Sequence, residues 1–238
     1  DALPILTKLA KMWEYRVAFG QGVLYTVMLS FFTVLFGFIL ALLLALLRRS
    51  KSPIPRGIAA AYVEFIRGTP MLVQLFIVFY GIFARDALGK FLPTTTILGY
   101  IDMSRFIPGI VALSLNSGAY LSETIRAGIA SIDYGQTEAA RSLGMTQGMT
   151  MKLIVLPQAI KNILPAIANE FVTIIKESSV CAYIGMYEIM YASQIVQGAT
   201  FIIIQPLIVA SVLYFCLTFP TSKVIGYFER RMSRGDKR

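Results

Sequence analysis

Val17–Lys51 reads VAFGQGVLYTVMLSFFTVLFGFILALLLALLRRSK. From Val17 to Leu47 it runs for 31 residues without a charge, then stops at Arg48-Arg49-Ser50-Lys51. A helix crosses the hydrocarbon core of a bilayer with roughly 20 mostly apolar residues. A membrane span is therefore expected at 19–47, ended by Pro53 and Pro55, which cannot continue a helix. The rest of the chain agrees. Of 238 residues 56% are hydrophobic and 15% charged, with a mean hydropathy of +0.68, whereas soluble domains carry about 25% charged residues. This composition excludes a soluble enzyme, a disordered protein and a nucleic-acid binder. The 22 Lys and Arg outnumber 13 Asp and Glu, but the basic residues gather at the ends of apolar runs, as in membrane proteins. The absence of histidine and the distance between Cys181 and Cys216 leave little support for a metal site or a disulfide framework.

Working outward, four more spans are expected, at 58–83, 107–129, 153–175 and 201–219, so that the fold is an all-α membrane protein of five transmembrane helices in one domain, 1–238. Glu64, Arg67 and Pro70 interrupt the first half of the second span, and the fourth carries Pro157, Lys161, Pro165, Asn169 and Glu170. The first apolar run is too long for a cleavable signal peptide. Lys/Arg-rich connections face the cytoplasm. Arg48, Arg49, Lys51 and Arg56 follow span one, and Lys223, Arg230, Arg231, Arg234, Lys237 and Arg238 follow span five. Five spans then place the N-terminus outside and the C-terminus inside. Arg85, Lys90 and Arg105 on the outer loop soften this bias. Residues 1–16, with Lys8 and Lys11 among Leu, Ile and Trp, read as an external segment lying in the interface.

The cytoplasmic loop 133–148 is richer than a connector. It contains Asp133-Tyr134-Gly135-Gln136-Thr137-Glu138-Ala139-Ala140-Arg141-Ser142-Leu143-Gly144. Good helix formers over Thr137–Leu143 predict a short helix with a left-handed stop at Gly144. Glu138 and Arg141, three apart, share a face, and the two alanines admit a close neighbour. A helix this short needs a surface to dock on.

Glu138-Ala139-Ala140, Gly144, Ile154 and Leu156-Pro157, at their spacing, resemble the EAA loop of ABC importer permeases. Three further stretches resemble signatures of the polar amino acid permeases of the histidine, glutamine and arginine type: Glu64–Gln74 (EFIRGTPMLVQ), Ala119–Ile129 (AYLSETIRAGI) and Lys176-Glu177-Ser178-Ser179. Together the likeness spans Val17 to Arg234. It implies a type I importer fold in the plasma (inner) membrane of a prokaryote. The implied partners are a second permease subunit (the same chain or a close homologue), ABC ATPase subunits and a separate external or periplasmic amino acid-binding protein. It also implies that Glu138, Ala139, Ala140, Arg141 and Gly144 form the coupling helix that enters a cleft of the ATPase. No G-x-x-x-x-G-K-[ST] phosphate loop occurs in the chain, so ATP and Mg belong to the partner and no cofactor is expected here.

For the substrate, the run Leu113-Ser114-Leu115-Asn116-Ser117-Gly118-Ala119-Tyr120 holds poor helix formers in mid-span. A local opening there would offer N–H groups to an α-carboxylate and the carbonyls of Leu113 and Leu115 to an α-ammonium. The alternative is close helix packing over small residues. Acidic residues at membrane depth are costly and usually functional. Glu64 and Glu123 have partners three residues on, in Arg67 and Arg126, which leaves Glu170 as the side-chain contact. This favours arginine, lysine or histidine weakly over glutamine. Gln74 and Tyr120 are the other expected lining residues. Two rival readings remain open on residues alone: a passive channel or membrane assembly protein without ATPase coupling, against which the 133–148 loop counts, and an intramembrane enzyme, for which no histidine and no intramembrane aspartate exist.

Overall fold

The computed structural model describes residues 3–84, 86–93, 96–97 and 101–233. Arg85, Arg234, Lys237 and Arg238, used above for orientation, lie outside them, as do the first two residues of the interfacial segment. The chain opens with α1 (Leu3–Lys11) and a 3-10 turn, then α2 (Arg16–Arg48). Next come α3 (Pro53–Arg67) and α4 (Met71–Phe76), which runs on as a π-helical turn over Ile77–Ile82. A two-residue antiparallel ribbon, β1 (Thr96–Ile97) with β2 (Ile101–Asp102), leads into α5 (Met103–Ala130). The chain continues through α6 (Tyr134–Ser142), α7 (Gln147–Thr150), a π-helical turn and α8 (Leu156–Glu177). A 3-10 segment Ser178–Ile184 precedes α9 (Ile189–Thr200) and α10 (Ile204–Ser233).

Among the described residues, three helical runs are long and apolar enough to cross a membrane: Thr7–Arg48, Gln147–Ile184 and Ile204–Met232. The pair Pro53–Arg67 and Met71–Ile82 makes a fourth if it counts as one bent span. The bend falls within the span expected at 58–83, at the interruption that Glu64, Arg67 and Pro70 make in its first half. The two halves meet at 110°. Pro70 has no N–H to donate and forces Thr69 out of the helical region, and α3 stops one residue before Thr69, at the Gly68 cap, whose N–H reaches Glu64 O at 2.9 Å. The span expected at 201–219 also shifts. Phe201 adopts a left-handed conformation (φ 56°) that ends α9, and α10 then runs well past residue 219.

Centre and seam are the pairing of α2 with α5, which is the most extensive in the fold. On α2 the buried residues Gly22, Thr26, Leu29, Ser30, Thr33, Gly37, Ala41 and Leu44 recur at three- and four-residue steps, one stripe of a helix. Most are small, so backbones approach closely. A Cβ on Gly37 would sit 3.2 Å from Ser117 Cβ, and one on Gly22 3.1 Å from the Glu188 carbonyl. The opposite face of α2 leaves Phe31, Ile39 and Leu46 exposed, as a lipid-facing surface requires. Gly118 packs on the same seam: its Cβ would lie 2.8 Å from Leu40 Cδ2 and 3.1 Å from Leu40 Cβ. Gly118→Leu is therefore expected to overpack the seam, at about 1–3 kcal/mol, and to cut the yield of monodisperse protein several-fold in size-exclusion chromatography. An unchanged yield would show that the seam is looser than described.

Candidate functional site

The 133–148 loop folds as a helix with both ends capped. α6 starts at Tyr134, three residues before the expected Thr137, because Asp133 caps it: its Oδ1 accepts from Gly135 N at 2.6 Å. It stops as expected. Gly144 takes φ 84°, its N–H bonds Arg141 O at 3.0 Å, and Met145 N bonds Ala140 O at 3.1 Å. These two bonds make a Schellman motif. Glu138, Ala139 and Arg141 are exposed, and so are Tyr134 (73%) and Leu143 (84%). Ala140 is not: it is buried in the chain's own packing, where α6 leans on the π-helical turn Met151–Val155. Of the two alanines, only Ala139 is open to a neighbour. The Arg141 guanidinium donates to Met145 O at 2.9 Å, which ties the helix to the loop that follows.

Membrane depth tells a different story from the sequence. The opening expected at Asn116–Gly118 is absent, and α5 is continuous from Met103 to Ala130. Its backbone N–H groups stay inside the helix. Asn116 does not compete for the backbone because its Nδ2 donates to Gln74 Oε1 at 2.9 Å. Ser114 Oγ donates across the seam to Thr33 O at 3.3 Å, and Leu113 is fully buried. The close-packing alternative accounts for this run. The Leu115 carbonyl, expected to be freed for an α-ammonium, accepts instead from Tyr62 OH at 2.9 Å.

Gln74 has a structural task. It is 7% exposed, and its Nε2 lies 2.7 Å from Ile66 O, 3.0 Å from Thr69 O and 2.8 Å from Thr69 Oγ1. It therefore satisfies the carbonyls freed by the α3–α4 bend and pins that bend to α5 through Asn116. Tyr120 is exposed, with the Arg67 guanidinium 5.3 Å from its ring centre. Arg67 thus lies on Tyr120 rather than making the expected pair with Glu64. The Glu123–Arg126 pair is present at 2.8 Å, and Arg48 of α2 joins it on the other carboxylate oxygen.

Glu170 is half-buried on α8, and Ser117 Oγ donates to its Oε1 at 2.8 Å. Two residues 53 positions apart, both expected in the pocket, are thus brought together. Among the described residues no ion pair neutralises Glu170.

One buried acid was missed. Glu188, 0% exposed, caps α9: Tyr191 N donates to its Oε1 at 2.6 Å and Tyr214 OH to its Oε2 at 2.5 Å. It lies between expected spans, where hydropathy gives no reason to look for burial; the signal available was an acid just before a helical run. No cluster of His, Cys, Asp or Glu among the described residues could hold a metal ion.

The sequence profile of the binding-protein-dependent transport system inner membrane component family matches residues 34–234. A putative glutamine transport system permease protein, GlnP, of Rickettsia bellii is 37% identical over 228 residues, covering 93% of this chain and 99% of that protein. The arginine transport system permease protein ArtQ of Bacillus subtilis is 38% identical, covering 91% of this chain and 93% of that protein. A crystal structure of an amino acid ABC transporter with histidines is 40% identical, superimposes with a TM-score of 0.83 and covers 94% of this chain and 98% of that one. The MetNI methionine ABC transporter in an inward-facing crystal form, 18% identical with a TM-score of 0.63 over 92% of this chain and 98% of that one, shares the fold. Permease subunits of such importers need no cofactor of their own. With this type I fold and these relatives, the chain belongs to the binding-protein-dependent inner membrane component family and is the permease component of an amino acid ABC importer, working with a second permease and a separate ATPase subunit that hydrolyses ATP.

Proposed function

We propose that this permease carries cationic amino acids and that Glu170 is the side chain that selects them. The single observation behind this is a carboxylate on a membrane helix, held by Ser117 at 2.8 Å and without an ion-pair partner among the described residues. An unpaired carboxylate at this depth is expensive; a guanidinium or ammonium of the substrate offsets that cost, whereas the amide of glutamine does so less well. Among the relatives, one name specifies glutamine and another arginine, so the choice rests on this residue.

In this reading α5 completes five crossings, the N-terminus is outside and the Arg48-Arg49 end of α2 faces the cytoplasm. An external binding protein delivers the amino acid to a cleft between the two permeases. α6 then couples that cleft to the ATPase: Glu138 and Arg141 meet the ATPase surface, Ala139 allows close approach, and Ala140 anchors the helix to its own chain. Closure of the ATPase pair moves α6 and, through the turn at Met151–Val155, the base of α8 that carries Glu170. The cleft alternates between outward and inward access.

Glu170→Gln tests the substrate assignment. In proteoliposomes holding the full importer and its binding protein, arginine uptake is expected to fall at least tenfold, and glutamine uptake to change less than twofold. Equal losses for both amino acids, or none for either, would remove Glu170 from selection.

A further inference from the structure

At the Arg48-Arg49 end of α2 lies a cleft of about 700 Å³ that the transport reading leaves unused. It opens between α2, α3 and the last turns of α5. Four arginines line it: Arg48, Arg49, Arg56 and Arg126. Its walls are apolar, with Ala45, Ala60, Ile125 and Ile129 among them. We propose that this cleft binds an anionic phospholipid, the phosphate on the arginines and an acyl chain along the apolar wall. The inference rests on the reading above only in placing this end of α2 at the cytoplasmic face of the membrane.

Charge supports it first. Glu123 is the carboxylate that meets this group, and it binds Arg48 and Arg126 together. Four guanidinium groups against one carboxylate leave three positive charges in one cleft. Among the described residues Arg56, exposed on α3, makes no ion pair, and Arg49, also exposed, makes none and donates to the Met151 sulfur at 3.7 Å. The paired arginines are thus held in place, and Arg49 and Arg56 are left open to a ligand. Guanidinium forks match phosphate oxygens in pairs.

Position and polarity select a lipid over a soluble phosphate. Arg48 and Arg49 end a 31-residue apolar run, so the charged mouth sits where headgroups lie. Basic pockets between membrane helices on the cytoplasmic side suit phospholipid headgroups. A soluble anion has no use for the apolar wall, whereas an acyl chain does. α3 also turns Ile54 (71% exposed), Ile58 (64%) and Phe65 (63%) outward, a face fit for lipid tails beside the cleft.

The test is native mass spectrometry of the purified permease–ATPase complex, delipidated and then supplied with phosphatidylglycerol or phosphatidylcholine. Phosphatidylglycerol is expected to stay bound, one per permease copy, at collision energies that strip phosphatidylcholine. Arg49→Gln/Arg56→Gln should weaken its retention at least tenfold, and Arg56→Gln alone should weaken it part of the way; both variants should still co-purify with the ATPase, since neither residue lies on α6. Equal retention of the two lipids would overturn the proposal, as would unchanged retention by the double variant. So would displacement of phosphatidylglycerol by millimolar glycerol phosphate, which would mean that the cleft reads the phosphate alone. A failure here is distinct from a failure of the placement it rests on, which labelling of Ser50→Cys from either side of the membrane reads independently of lipid.

Discussion

Gln74→Leu is expected to destabilise the protein more than any other single substitution of a polar residue at membrane depth. The side chain caps a 110° break between α3 and α4 and holds that break to α5. Leucine fits the volume and removes every polar contact. Ile66 O, Thr69 O and the Asn116 amide then lose a partner, and no bulk water is at hand to replace it. A buried polar group left unpaired costs about 1–3 kcal/mol, so three such groups bring the loss to roughly 3 kcal/mol or more. Asn116→Leu removes only the link between helices. It leaves one group unpaired, Gln74 Oε1, where Gln74→Leu leaves three, so its effect should be about threefold smaller. Thermal unfolding of the detergent-purified protein, read for both variants, checks the ranking. If Asn116→Leu proved as damaging as Gln74→Leu, the bend would depend on the α5 contact rather than on its own capped carbonyls.

Glu138→Lys is expected to abolish transport while leaving the protein folded. Glu138 is exposed near the middle of α6 and makes no ion pair among the described residues. Its removal should therefore cost under about 0.5 kcal/mol of stability, as surface changes do. In the proposed docking of α6 on the ATPase, reversing this charge sets a like charge against the cation that would face Glu138, a mismatch that costs several kcal/mol. At about 1.4 kcal/mol per factor of ten, uptake should fall by two orders of magnitude or more. Ala140→Leu reaches a similar loss by a different route. Ala140 is 4% exposed, so the larger side chain pushes α6 off its own chain before the ATPase is involved. The two variants separate in thermal unfolding, where only Ala140→Leu should lower the midpoint.

How far the sequence carried these conclusions differs between the two regions. α2 was legible because burial and helix length both follow from one uninterrupted apolar run, and the stop at Gly144 was legible because a glycine past a short run of helix formers has few other uses. The start of α6 was not: Tyr134 and Gly135 are poor helix formers, and it is the Asp133 cap that recruits them. The bend at Gly68-Thr69-Pro70 was visible as an interruption, but its angle depends on Gln74 reaching back eight residues to Ile66 O, which no local pattern encodes. The same holds at Asn116–Gly118. Helix propensity argued for an opening, and tertiary contacts with Gly37, Leu40 and Gln74 overrode it. Glu170 was singled out as an acid without a nearby base; that Ser117 holds it could emerge only from the packing of α5 against α8.

The most direct measurement is ATP hydrolysis by the reconstituted importer, with its ATPase and binding protein, challenged with arginine, lysine, histidine and glutamine in turn. Hydrolysis is expected to rise severalfold with the cationic amino acids and least with glutamine, and the rise is expected to vanish in Glu138→Lys while the ATPase still co-purifies. Stimulation that survives unchanged in Glu138→Lys would contradict the role given to α6 as the element that joins substrate to ATP.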